Sequence, residues 1–286
     1  MKITLREARD EARRFRRNGD HPHALHAYQR ILAALPLDYE TRLAIADVLA
    51  EAGQTDAAVE VYRSVAIHNV RGGHPLPAIV AAYALGKLGQ PVDDIFALLV
   101  KTYASGSPLL ARFAVRTAPV DPSTVLEVED IGHTGSLAHV MEQARKTALD
   151  LSVFVGYQEQ YHPLPFLSEL GPESLAAVLR SLTVLRLTDG QLVVRQGDAG
   201  DTLFLVADGE LRVFVNTPAG DKDVARLFEN TLFGEMALIT GQPRTASVAA
   251  AGDADVIGVS KAALALVVAK LPTIRAALDQ FSRERL

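Results

Sequence analysis

Two glycines, Gly19 and Gly53, stand 34 residues apart, and much of their surroundings repeats with them. Ala12 and Ala46, Ala24 and Ala58, and Tyr28 and Tyr62 keep the same spacing. Phe15 and Leu49 share that register, as do Ile31 and Val65. A third unit is longer: Ala82, Leu85 and Gly89 lie 36 residues beyond Ala46, Leu49 and Gly53. Such a period accommodates two helices, and a unit of this size must bury its apolar side against the next one. Glycine marks the turn between paired helices, where a C-terminal cap takes positive φ. Small alanines mark close helix approach, and the tyrosine with its aliphatic partners fills the groove between helices. The two extra residues of the third unit fall in RGGHP, 71–75, whose composition predicts a loop.

From about residue 5 to 105 the chain resembles the tetratricopeptide repeat family. It lacks that family's frequent tryptophan, and Asp94 stands where the third unit should carry a small residue. The resemblance implies a short right-handed solenoid whose concave face binds a peptide or a partner protein. The alternative is a plain helical packing domain with no partner.

Length supports roughly two domains, and 49% apolar residues suffice for ordinary cores. Residues 106–135 are rich in Pro, Gly, Ser and Thr and are expected to form linker. The GHTGS run at 132–136 is taken as a turn rather than a phosphate loop. SLAHVMEQARKTALDLSV then places Leu137, Val140, Met141, Ala144, Ala148 and Leu151 on one helical face. YHPLPFLSEL, 161–170, has two prolines and enters the next domain as a turn.

After a short helix in GPESLAAVLRSLT the period changes. VLRLTDGQLVVRQGD, DTLFLVADGELRVFVNT, DVARLF and TASVAAAGDADVIGVS are short β-type runs separated by glycine-containing turns. They predict a small antiparallel barrel or sandwich. A C-terminal helix follows, with Pro272 starting or kinking a second segment.

FGEMALITGQPRTASV, 233–248, interrupts the β pattern. Phe233 is expected to anchor it to the core, and Gly234 to allow close backbone approach. Glu235 to Ile239 form one helical turn whose N–H groups can face an anion. Gly241–Gln242–Pro243 ends that turn, and Arg244 presents a forked cation. The expectation is an exposed acid beside an exposed base. That pair suits a ligand carrying both a phosphate and a hydroxyl, as in a ribose phosphate.

This stretch closely resembles the phosphate-binding cassette of the cyclic nucleotide-binding domain family. The likeness extends over about 164–286 and includes Gln196, Gly197, Asp198 and Gly209. The resemblance implies an eight-stranded, jelly-roll-like β-roll flanked by helices. It also implies roles for Phe233, Gly234, Glu235, Met236, Ala237, Arg244, Thr245 and Ala246 as ligand-binding residues. Arg244 would bind the exocyclic phosphate oxygens and Glu235 would accept from the ribose 2′-hydroxyl. The amides of Gly234, Ala237 and Ala246 would line the phosphate, and the Thr245 hydroxyl would donate to phosphate or base. Thr245 is compatible with cyclic AMP and with cyclic GMP; general frequency favours cyclic AMP. Leu271, Ile274, Leu278 and Phe281 are candidates to cap the base. The alternative is a β-roll that has lost its ligand.

Other classes are disfavoured. A net charge of −5 argues against a large basic nucleic-acid surface, and the chain ends without room for a winged helix-turn-helix. With no cysteine, disulfides and thiolate metal sites are excluded. His21, His23 and His26 do not share one helical face, so no metal site is expected. No GxxxxGK[ST], HExxH or GxSxG motif, no kinase signature, no signal-peptide core and no membrane-length apolar run appears. The Ala-, Leu- and Arg-rich usage points to a bacterial source.

The expected architecture is therefore α+β: a helical repeat domain over 1–105, a linker with connecting helix over 106–163, and a β-roll over 164–286. The expected function is a non-enzymatic cytoplasmic sensor-adaptor, with a cyclic mononucleotide as regulatory ligand, no other cofactor, and a protein partner on the repeats. The C-terminal helix is a candidate dimerisation element. A structural scaffold whose β-roll only packs or dimerises is the alternative.

Overall fold

A computed structural model describes residues 2–111, 114, 120–128, 136–154, 156–164 and 167–268. The chain divides into two compact units, Met1–Leu98 with Phe113–His162, and Leu99–Arg112 with Pro163–Leu286. The stretch 106–163, expected as linker, is shared between them.

The first unit starts with strand β1 (Lys2–Thr4) and helices α1 (Leu5–Arg17), α2 (His21–Ala34), α3 (Tyr39–Glu51), α4 (Thr55–Gly72) and α5 (Pro75–Lys87). Helix α6 (Asp93–Tyr103) contains the boundary between the units. Strand β2 (Val125–Glu127) pairs antiparallel with β1, and helix α7 (Leu137–Leu149) packs on α2, α3 and α4. Thr4 and Glu7 form a reciprocal capping box that starts α1, worth about 1 kcal/mol.

The repeat is visible in the turns. Gly19, Gly53 and Gly89 have φ of +73°, +79° and +73°. The residue after each one donates its N–H to the carbonyl four positions before that glycine. These bonds are Asp20 to Phe15 at 2.9 Å, Gln54 to Leu49 at 2.8 Å and Gln90 to Leu85 at 3.1 Å. Ala12, Ala46, Ala82, Ala24 and Ala58 are all buried. Asp94, which breaks the small-residue pattern, is an exposed partner of Arg63 at 2.7 Å. The extra length of the third unit is not a loop, as expected, but a longer α4. The helix runs through Gly72 and ends where His74 N–H reaches the Asn69 carbonyl at 2.9 Å, just before Pro75. Proline at the first position of α5 lacks the N–H that a continuing helix would need.

Arginines of α1 clamp α3. Arg9 grips both carboxylate oxygens of buried Asp38 at 2.7 and 2.9 Å. Arg13 reaches Glu40 at 2.7 Å, and Arg16 reaches Asp47 at 3.0 Å and Glu51 at 2.6 Å. The apolar face of α7 is narrower than the sequence suggests. Met141, Ala144 and Ala148 are buried, whereas Leu137 is 50% exposed and Leu151 lies past the helix end. On α4, buried His68 sits between the hydroxyls of Tyr39 at 2.5 Å and Tyr157 at 2.7 Å, with Phe154 edge-on. A neutral imidazole offers one donor and one acceptor, so one tyrosine donates and the other accepts.

The second unit begins with a 3-10 turn (Leu167–Glu169) and helix α8 (Pro172–Ser181). Strands β3 (Thr183–Leu187), β4 (Leu192–Val194), β5 (Thr202–Asp208), β6 (Leu211–Thr217), β7 (Gly220–Leu227) and β8 (Leu232–Phe233) follow. Helix α9 (Glu235–Thr240), strands β9 (Ser247–Ala250) and β10 (Ala254–Ser260), and helix α10 (Lys261–Val268) complete it. Two four-stranded antiparallel sheets form, ordered β3-β10-β5-β8 and β4-β9-β6-β7. Their inward side chains share one core of Phe204, Val206, Leu211, Leu227, Phe233, Val248 and Val256. Alternation along paired strands puts these residues on one face. Helices α8 and α10 pack on each other and on β10. Pro272 and the expected base-capping residues Leu271, Ile274, Leu278 and Phe281 lie outside the described residues, as do residues 132–135 of the GHTGS run.

The helical unit can be tested at its glycines and at its buried histidine. Gly53→Ala forces an L-residue into the left-handed region and should cost about 1–2 kcal/mol, whereas Gly86→Ala, inside α5 with open space at its Cβ, should gain about 0.4–1 kcal/mol. Urea titration of the helical signal measures both. Burial, with Arg42, His74 and Arg71 nearby, pushes His68 from 6.5 down to about 4. The unfolded chain then takes up the proton first, so stability present above pH 6.5 is lost as pH falls toward 4. The urea midpoint should fall over that window, and less steeply in His68→Gln.

Candidate functional site

The site is assembled around the end of β8. Phe233 is buried and stacks on Phe204 of β5, ring centres 5.2 Å apart, which fixes the chain as it leaves the sheet. Gly234 follows with φ +85°, a conformation that disfavours any side chain. A Cβ there would also lie 2.6 Å from Arg244 Nη1 and 3.1 Å from the Thr202 carbonyl. Position 234 is therefore restricted twice, by backbone angle and by space. Helix α9 then makes a short turn that closes when Gly241 N–H reaches the Ala237 carbonyl at 3.0 Å.

Arg244 comes back beneath this turn. Its Nη1 donates to the Gly234 carbonyl and its Nη2 to the Thr202 carbonyl, each at 2.7 Å. The guanidinium carbon lies 5.6 Å from the centre of the Phe204 ring. Backbone bonds hold the residue as well: Arg244 N–H donates to the Asp198 carbonyl and Gly197 N–H to the Arg244 carbonyl, both at 2.8 Å. This gives the QGD stretch its job. Gln196 extends the anchor, donating its N–H to Ser247 Oγ at 3.0 Å and accepting from Asn216 N–H at 2.7 Å.

The expected exposure of the acid–base pair is corrected. Arg244 is 7% and Glu235 4% exposed. A guanidinium tolerates burial when its donors meet acceptors and carboxylates stand near, and here both conditions hold. Burial pulls the Arg244 guanidinium below its ordinary pKa, while Asp201 and Glu235 act the other way and support the cation. The two carbonyl bonds fix the plane of the fork and leave its other N–H donors uncommitted.

The other expected residues lie along the same loop. Ala237 is buried, with its Cβ beside the Arg244 side chain across Gly200. Met236 is half-buried in the first turn of α9. Thr245 is exposed and Ala246 half-buried, just before β9. The residues missed from sequence are Gly200, Asp201 and Thr202, which close over Arg244 from the other strand. Their signal is the GDAGD run at 197–201, whose second glycine follows the QGD turn too closely to be needed for that turn alone. Elsewhere, His23 bonds Asp20 at 2.7 Å and stacks on Phe15. No group of three or more potential metal-ligating side chains converges among the described residues. No helix among them is long and apolar enough to cross a membrane.

Residues 184–270 match the family described as the cyclic nucleotide-binding domain. Among curated proteins, a cyclic nucleotide-gated potassium channel of Mesorhizobium japonicum is 30% identical over 122 residues, covering 43% of this chain and 33% of the channel. A cAMP-dependent protein kinase regulatory subunit of Mycosarcoma maydis is 31% identical over 99 residues, covering 35% of this chain and 19% of that protein. The chain thus spans a third or less of the length of these relatives. Among solved structures, the catabolite activator protein of Thermus thermophilus is 29% identical with a TM-score of 0.38, covering 42% of this chain and 57% of that one. The regulatory domain of Toxoplasma gondii PKA with cAMP is 26% identical with a TM-score of 0.36, covering 43% and 45%.

Gly200 offers a direct probe of the arginine seat. A Cβ there would fall 2.5 Å from Arg244 Nε and 2.6 Å from Ala237 Cβ. The arginine tip is the movable neighbour, so Gly200→Ala should push it off both carbonyls while the sheets stay folded. Hydrogen exchange of the Arg244 Nη–H protons, which make both carbonyl bonds, should then accelerate about tenfold or more by NMR. Unchanged exchange would show that the guanidinium is not held as described.

Proposed function

We propose that this chain is a non-enzymatic sensor-adaptor that binds a cyclic mononucleotide in its β-roll and a protein partner on its helical repeats. The observation that carries the first half is the seating of Arg244: a buried guanidinium, oriented by two backbone carbonyls, beside a buried Glu235. Two backbone carbonyls fix the plane of the fork, which lowers the entropy cost of gripping a phosphate. In this reading Arg244 takes the exocyclic phosphate oxygens and Glu235 accepts from the ribose 2′-hydroxyl. The amides of Gly234, Ala237 and Ala246 line the phosphate, the Thr245 hydroxyl reaches phosphate or base, and Phe233 and Met236 shape the loop. The family match over 184–270 contains all eight positions and supports the assignment. The names of the kinase regulatory-subunit relatives favour cyclic AMP over cyclic GMP.

The second half rests on the three equivalent helix–turn–helix units, which fit a tetratricopeptide-like scaffold. Nucleotide acts as regulatory ligand; no catalytic residue and no resident cofactor is invoked. Coupling of ligand to partner affinity in such systems is about 1–3 kcal/mol, or roughly 5- to 150-fold.

A second reading is a scaffold whose β-roll takes no ligand. Its support is the same arginine: a side chain already bonded to two carbonyls across the loop can serve as a structural bolt.

Calorimetric titration with cyclic AMP, cyclic GMP and a cyclic dinucleotide separates the two. A mononucleotide should bind at micromolar level, which needs about 8 kcal/mol in all. A charge-assisted contact contributes about 1.5–3 kcal/mol. Arg244→Glu, which also reverses the charge, should therefore weaken binding about 100-fold or more, and Glu235→Gln about tenfold. Absence of heat and of thermal shift with every ligand would overturn the sensor reading and leave the scaffold.

A further inference from the structure

Helix α7 is held on the repeats in an unusual way. The buried guanidinium of Arg42, on α3, donates to backbone carbonyls at its end: Ala148, Thr147 at 3.4 Å and Asp150 at 2.6 Å. A fourth acceptor is the Pro36 carbonyl. Arg42 is 2% exposed, and its Nε has no partner. Carbonyls at a helix C-terminus are unsatisfied within the helix and carry partial negative charge, so they are natural acceptors for a cation. Along its length α7 packs on α2, α3 and α4. Met141, Ala144 and Ala148, at i, i+3 and i+7, are the buried residues of α7. Arg145 adds a rim contact to Glu60 of α4 at 2.5 Å. The same helix is bonded to itself across that rim, Arg145 to Glu142 at 2.8 Å. More than a hundred residues of sequence separate Arg42 from the carbonyls it caps.

We propose that the α2–α3–α4 face is a helix-docking site that the chain fills with its own α7, and that a partner engages the repeats by displacing it. Arg42 defines the kind of partner. Without a helix end above it, the Arg42 guanidinium gives up three of its four carbonyl acceptors and meets water instead. The face therefore favours an incoming helix that brings a C-terminal turn to Arg42 and small side chains at i, i+3 and i+7. An in-chain competitor tethered on the same chain acts at an effective concentration near the millimolar range, so it sets a threshold that only a well-matched helix passes. The proposal rests on the adaptor half of the reading above and is independent of nucleotide binding.

The test uses the full chain and a fluorescent peptide with the sequence of residues 136–154 as probe. Ala144→Glu with Ala148→Glu in the chain should lift α7 off the face, and the peptide should then bind about tenfold or more tightly than it binds wild type. A peptide carrying Ala144→Glu should not bind. Arg42→Met in the released chain should abolish the gain. If the double variant loses the helical fold altogether, or stays folded and gains no peptide affinity, the proposal is overturned. Amide hydrogen exchange on the unmodified chain gives an independent arm: α7 should open at least tenfold more readily than α2–α4, and exchange of α7 only with global unfolding would overturn the proposal. Neither arm involves Arg244, so a failed nucleotide titration and a failed docking test remain separate results.

Discussion

A guanidinium taken out of water keeps its charge, and its donors must be met by acceptors. Both units of this chain are organised by that constraint. In the β unit, Arg244 is met by the carbonyls of Thr202 and Gly234, which belong to β5 and to the exit from β8. Those bonds tie the loop between β8 and β9 down onto the sheet. In the helical unit, Arg42 is met by carbonyls around Pro36 and at the end of α7. Nearby carboxylates, Asp38 and Asp150 for Arg42 and Asp201 and Glu235 for Arg244, favour the charged form against burial. The acceptors themselves are backbone atoms, so neither arginine is neutralised by a contact ion pair.

The glycines fit this scheme as spacers. Gly200 and Gly234 leave the room that Arg244 occupies, since a Cβ at either would stand within 2.6 Å of its side chain. In the repeats, glycine acts through angle rather than space. At Gly19, Gly53 and Gly89 a Cβ would meet nothing within 4 Å, yet all three take positive φ. One residue type thus does two different things in the two units. The first kind is recognised only when the packed neighbour is known; the second announces itself by period.

That difference explains what is legible in the chain. Turn glycines, buried alanines and the strand pattern are local or periodic, so spacing alone locates the helix pairs and the short strands. The acid and the arginine of the loop stand out by type, yet their burial does not. The groups that make it tolerable are main-chain carbonyls, which have no signature in a sequence. The same holds for Arg42, an ordinary basic residue in α3 until the chain returns as α7. RGGHP misleads for another reason: two adjacent glycines are compatible with a helix end as well as a loop, and the neighbouring Pro75 fixes where the next helix begins, not where α4 stops.

Carbonyl acceptors also give an arginine site a particular character. A carboxylate partner would compete with an incoming phosphate, because both would want the same fork and both carry full negative charge. A carbonyl competes weakly for charge but still fixes the plane of the fork. Two carbonyls on one side of the Arg244 guanidinium therefore order it without neutralising it. Asp201 and Glu235 hold the charge in place from nearby. For Arg42 the same logic applies at a helix end, where the end of α7 supplies three of the acceptors and Pro36 the fourth. An arginine satisfied by backbone is fixed in place without being neutralised, and this chain has placed one in each of its units.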